Sequence, residues 1–116
     1  MTRLRTPVAI LIIILLLSTA GCGSARRGEP IIGPIPLTSD TARHGQQIFV
    51  KHCQQCHPGG EAGLGPAINN KPLPGFLIRF QVRHGYGAMP AFGEDQIASE
   101  DLTALLEYLH ALRKHG

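Results

Sequence analysis

The sequence predicts a small all-α domain. Three stretches carry apolar residues at three- and four-residue spacing, two loops rich in glycine and proline separate them, and no run alternates as a half-buried strand would. There is no internal repeat. With 116 residues the chain has room for one such domain, which composition places at residues 38–116.

The segment ahead of it has the order of a secretory signal peptide. Arg3 and Arg5 precede ten residues without a polar side chain, Val8 to Leu17, and the small residues Ser18 to Gly21 follow. As a helix those ten residues reach roughly 15 Å, against a hydrocarbon core of roughly 30 Å, so residues 1–21 predict export rather than a membrane span. Thr19-Ala20-Gly21-Cys22 resembles the lipobox of bacterial lipoproteins, in which the cysteine becomes the acylated first residue, although Thr19 stands where leucine is usual. Lipidation of Cys22 also accounts for the odd cysteine of three in an exported chain, whereas cleavage after Ala20 would release a soluble protein beginning at Gly21. Residues 22–37 then read as a tether, with Pro30, Pro34 and Pro36 and no helical or strand period. Its Arg26 and Arg27 would each contribute about 1 kcal/mol of attraction to an anionic bilayer.

Ser39 or Asp40 caps the first helix, along which Gly45, Ile48, Phe49, His52, Cys53 and Cys56 share one side, so the pattern carries helix as far as the cysteines. The second runs from about Pro74 to His84 with Leu73, Phe76, Leu77 and Phe80 on its apolar face and Gly85 to end it. The third begins at Ser99, places Glu100 and Asp101 in its first turn and Arg113 and Lys114 in its last, and carries the stripe Leu102, Leu105, Leu106, Leu109 and Leu112.

Charge excludes one class of partner. The formal charge of +3 falls to +1 without residues 1–21, and from residue 38 onward seven Lys/Arg balance seven Asp/Glu, so no basic stripe suited to nucleic acid is present. The core is thin, with four Phe, two Tyr and no Trp in the chain, and domains this small usually need a staple.

"CQQCH", residues 53–57, supplies one under any of three readings. Structural zinc needs four ligands; Cys53 and Cys56 give two, no second cysteine pair exists, and His110 and His115 would have to complete the set. A thioredoxin-like exchanger places its pair at the start of a helix after a strand, where the dipole lowers the thiol pKa, but this pair closes a helix. Covalent haem accounts for the spacing: two thiols on one turn meet the two vinyl groups at one porphyrin edge while His57 projects to the iron. The haem would then complete the core.

A histidine ligand leaves the opposite iron face open. Met89, the only methionine apart from the initiator, lies in the loop "GYGAMPAFG", and Pro90 restricts its backbone. A methionine that only fills apolar space suits a helix face better than such a loop. His84 is the chief rival as sixth ligand, ahead of His44, His52, His110 and His115.

From Thr38 to His115 the sequence resembles the class I cytochrome c family. The likeness rests on "GQQIFVKHCQQCH", "GLGPAI", "VRHGYGAMPAF" and "LTALLEYLHAL". It implies three main helices wrapped around one covalently bound haem c, with Cys53 and Cys56 as thioethers and His57 and Met89 as axial ligands. It further implies that first and last helices cross at Gly45, Phe49, Leu105 and Tyr108, and that the Pro66 carbonyl accepts a hydrogen bond from the axial His57. Without Trp, Arg79, Arg83 or Tyr86 is left to meet a haem propionate.

Two protein ligands saturate the iron, so the chemistry points to a non-enzymatic electron carrier without a small-molecule substrate, and thioether ligation favours Fe(II). Expected partners are redox proteins: a quinol-oxidising complex or dehydrogenase as donor, a terminal oxidase or reductase as acceptor. The expected setting is the periplasm or the outer face of the cytoplasmic membrane, held there as a monomer through Cys22. The alternative is a haem-based ligand binder or peroxidase-like enzyme in which Met89 is displaced and His84 serves as distal acid or base.

Overall fold

The computed structural model describes Val8, Ile10 and Ile12, then residue 31 and residues 33–115. The signal peptide cleavage zone, Cys22 and the tether up to residue 30 lie outside the described residues. Among the described residues no helix is long and apolar enough to cross a membrane.

The domain is all-α among these residues: α1 spans Asp40–His52, a 3₁₀ turn spans Pro58–Gly60, α2 spans Gly75–His84 and α3 spans Ser99–His115. The Ser39 hydroxyl accepts the backbone N–H of Ala42 at 3.0 Å and so satisfies one of the open amides at the start of α1. Asp40 in the first turn of α1 and Glu100 and Asp101 in that of α3 oppose the positive helix ends, and Arg113 and Lys114 lie in the last turn of α3.

Helices α1 and α3 form the frame. Their closest approach is at Gly45, where an added Cβ would overlap the Ala104 carbonyl oxygen and sit 2.5 Å from the carbonyl carbon. Only a residue without a side chain admits that approach. Phe49, one turn on, lies with its ring centroid 5.2 Å from that of Tyr108 at 56°, a tilted geometry favoured by the ring quadrupoles. Around this contact Ile97, Leu102, Leu105, Leu112 and Val82 are buried and complete the core. His44 Nε2 and Asp101 Oδ1, 2.6 Å apart, pin the two helices at their amino-terminal halves.

The structure departs from the sequence pattern in three places. First, α1 ends at His52, before both cysteines. The Phe49 carbonyl accepts the N–H of Cys53 at 2.8 Å and of Gln54 at 3.0 Å, which widens the last turn, and Pro58 disfavours helical backbone at His57, found at φ −127° and ψ 68°. Second, the apolar face of α2 is not covered by the described residues: Leu73, Phe76, Leu77 and Phe80 are all exposed, whereas Val82 is buried and Ile78 packs on the core. The helix meets α3 along the side that carries Gly75 and Ile78, because Gly75 allows Leu106 to come close. Third, the carboxyl end of the expected tether belongs to the domain surface: Ile31, Ile35 and Leu37 pack against the core, and Arg43 Nη1 donates to the Leu37 carbonyl at 2.7 Å.

Gly45→Ala should separate the α1–α3 pair and cost about 3 kcal/mol, the upper part of the range for overpacking. The check is the urea midpoint of the haem-loaded protein, and an unchanged midpoint contradicts the crossing.

Candidate functional site

The site is assembled from two stretches of backbone that follow helices. At the end of α1 the chain makes a separate turn in which the Cys53 carbonyl accepts the N–H of Cys56 at 3.1 Å and of His57 at 2.8 Å. That turn sets both thiols and the imidazole within five residues of one tight loop. Both cysteines are free thiols and half-buried. Burial, with the neighbouring Cys56 adding to it, pushes the Cys53 thiol up to about 11, so at neutral pH it is protonated and a poor nucleophile.

His57 is buried, with 8% of its surface exposed. Its Nδ1 donates to the Pro66 carbonyl at 2.8 Å, which fixes the tautomer and leaves the lone pair on Nε2. Gly65 lies against the ring: a Cβ there would run into Cε1 and come within 2.9 Å of both ring nitrogens. The Gly65–Pro66 step therefore orients the imidazole entirely with backbone. Further bonds hold that step in place, since Gly65 N–H donates to the Cys56 carbonyl at 2.9 Å, and the Gly60 carbonyl accepts from Ile68 at 2.7 Å and Asn69 at 2.9 Å.

Met89 comes from the other stretch. Gly85, at φ 69°, caps α2, and the chain then doubles back between Tyr86 and Met89 through paired backbone hydrogen bonds of 3.1 and 3.0 Å. The Met89 thioether is half-buried against the core, with Gln81 Nε2 at 3.6 Å from Sδ. Leu77, one helical turn before Gln81, falls on the same side of α2 and is exposed. His52 at the end of α1 meets Phe92 edge-on at 5.7 Å, which joins the cysteine segment to the methionine loop.

Three of the rival ligands have partners elsewhere. His84 is exposed, donates through Nδ1 to the Phe80 carbonyl at 2.9 Å and stacks on the Phe80 ring at 4.1 Å. His44 pairs with Asp101, and His110 accepts from Arg113 Nη2 at 3.1 Å. Two of the three residues considered for a propionate also have structural partners. Arg83 Nη1 donates to the carbonyls of Phe92, Gly93 and Ile97, clamping the methionine loop to the start of α3, and Arg79 donates to Thr103 Oγ1. Tyr86 stays exposed.

Sequence reasoning brought out the two thiols, His57, Pro66 and Met89, but not Gly65 or Gln81. The Gly65 contact was open to inspection as a glycine beside the critical proline; nothing in the sequence marks Gln81 before α2 is placed against the Met89 loop.

Comparison with known proteins gives the family. Residues 40–109 match the family described as cytochrome C oxidase, cbb3-type, subunit III. The chain belongs to the cytochrome c family. It is 40% identical over 68 residues to the 4-cresol dehydrogenase [hydroxylating] cytochrome c subunit of Pseudomonas putida, a match covering 59% of each chain. It is 34% identical over 82 residues to cytochrome c6 of Microcystis aeruginosa, covering 62% of this chain and 98% of the relative. With the chloroplastic cytochrome c6 of Chlamydomonas reinhardtii it shares 28% over 120 residues, covering 78% of each. The chain spans about three fifths of the length of the cresol dehydrogenase subunit. No solved structure matches it.

The chain is thus a class I cytochrome c that transfers electrons with one covalent haem c, and Cys53, Cys56 and His57 form the C-x-x-C-H attachment sequence. Its residues fit that group: two reduced thiols on one turn, an imidazole with Nε2 free and Nδ1 bound, and a thioether on a separate loop make a nitrogen and sulfur donor set suited to iron. When bound, the haem supplies a one-electron Fe(III)/Fe(II) couple.

Gly65→Ala should push the His57 ring off the Pro66 carbonyl. The expected result is a lower yield of covalently loaded protein and an altered visible spectrum in what remains; wild-type yield and spectrum would contradict this role for Gly65.

Proposed function

We propose that this cytochrome is a single-electron shuttle whose iron is held by His57 and Met89, with the porphyrin bonded through Cys53 and Cys56. The observation that carries the reading is the His57 geometry: Nδ1 is committed to the Pro66 carbonyl and the ring is backed by Gly65, so Nε2 is the nitrogen offered for coordination. Met89 completes the pair from a loop tied by backbone bonds and clamped through Arg83. Two such ligands leave no position for a substrate, which supports a carrier rather than an enzyme. Both are soft or neutral donors, and with burial from water they favour Fe(II) and raise the potential above that of a bis-histidine site.

The partners in this proposal are redox proteins. The likeness to the cytochrome subunit of a dehydrogenase supports a dehydrogenase as electron donor, with a terminal oxidase or reductase as acceptor. Contacts of this kind are small and short-lived, which suits a monomer. Residues 1–21 act as the export signal, Cys22 carries the lipid, and the intervening residues tether domain 38–116 to the outer face of the cytoplasmic membrane or in the periplasm. Confinement there raises the effective concentration of the carrier near its partners. The competing role of His84 as distal acid or base has no support in its geometry, since its ring is stacked on Phe80 and bonded to that residue's carbonyl.

Met89→Ala tests the proposal. The variant should keep its covalent haem, show a markedly lower reduction potential and gain carbon monoxide binding in the reduced state. Retention of the wild-type potential would remove Met89 from the iron.

A further inference from the structure

Two grooves run along the outer side of α3, away from the cysteine turn and the methionine loop. One, of about 610 Å³, lies between α3 and the segment entering α1 and is lined among others by Pro36, Leu37, Leu106, Glu107 and Lys114. The other, of about 340 Å³, lies between α3 and α2, with Lys71 and Arg113 at its rim and Ile78, Leu106 and Leu109 in its floor. They share Leu106 and His110 and therefore form one continuous face.

Charge is segregated onto this face. Lys71, Arg113 and Lys114 line the grooves, and Arg79 reaches their edge through its bond to Thr103; Glu107 is the one carboxylate among the lining residues. Residues 38–116 carry seven cations and seven carboxylates, so the remaining surface holds three cations and six carboxylates. The helix dipole accounts for Arg113 and Lys114 at the end of α3. It does not account for Lys71 and Arg79, which come from the loop before α2 and from α2 itself. The chain also enters the domain here: Pro36 and Leu37 line the larger groove, and the sequence upstream contains Arg26 and Arg27.

We infer that this face lies against an anionic lipid bilayer. A domain with no net charge gains from a charged surface only by presenting one side to it, and each Lys or Arg near such a surface contributes about 1 kcal/mol, or about fivefold in partitioning. Pro36 and Leu37, where the chain enters the domain, line the same face, so a lipid-held amino terminus and the basic face would act together. None of residues 53–57 or 86–92 lines either groove, so this orientation leaves the redox site open to protein partners. The inference deepens the membrane-held reading proposed above and fails separately from it.

The test is co-sedimentation of the mature haem-loaded protein with vesicles of phosphatidylcholine alone and of phosphatidylcholine with phosphatidylglycerol. Retention on pure phosphatidylcholine reports the lipid on Cys22; the increment due to phosphatidylglycerol reports the basic face. The double variant Lys71→Gln, Lys114→Gln should reduce that increment by about fivefold per charge removed, and added salt should do the same. A control of equal charge change on exposed α1 positions, Gln47→Glu with Lys51→Gln, should leave most of it. A missing increment in the wild type, or equal losses in both variants, would overturn the inference. So would slower electron transfer in the Lys71 and Lys114 variant with unchanged vesicle binding, which would make the face a docking site for an acidic protein.

Discussion

The close approach of α1 and α3 at Gly45 is the constraint on which the rest of the structure depends. A carbonyl of α3 occupies the space where a side chain of α1 would be, and this contact fixes the pair at backbone distance. Phe49 and Tyr108 then meet, Leu105 and Leu112 are covered, and the end of α1 is delivered to the edge of the core, where Cys53 packs. Loops, the short α2 and the entering segment are arranged around that frame. The apolar side chains Phe76, Leu77 and Phe80 of α2 are left exposed by the described residues. A thin core and a covalent cofactor are two aspects of the same design.

The two halves of the site are held by different means. His57 is positioned by main chain: the Cys53 carbonyl holds its amide, the Pro66 carbonyl its Nδ1, and Gly65 lies against its ring at Cε1. Backbone placed by a turn and a proline leaves little freedom. Met89 has a flexible, polarizable side chain, and its rigidity is borrowed from the Tyr86–Met89 backbone pair and from Arg83, which bonds the following carbonyls. As the proposed iron ligands, an imidazole and a thioether held in this way would limit rearrangement when the charge on the iron changes, which is what a carrier needs.

Much of this was legible in the sequence because local chemistry and global fold agree. Ser39, Gly85, and Ser99 with Glu100 and Asp101 mark helix ends that the structure keeps. The end of α1 was hidden because Cys53 and Cys56 continue the helical spacing; only Pro58, acting on His57, and the doubly bonded Phe49 carbonyl break it. The stripe Leu73, Phe76, Leu77 and Phe80 marked a face that the described residues leave exposed, because an apolar stripe shows that cover is needed, not what supplies it. Ile31, Ile35 and Leu37 escaped notice in a proline-rich run without helical period. Gln81 had no local mark at all, since its relation to Met89 exists only once the loop has folded back on α2.

The most direct test of the central claim, an iron closed by two protein ligands, is the visible spectrum of the dithionite-reduced wild-type protein before and after carbon monoxide. The account predicts a sharp c-type spectrum that the gas leaves unmoved. A spectrum that shifts on addition of the gas would show an accessible iron and contradict it.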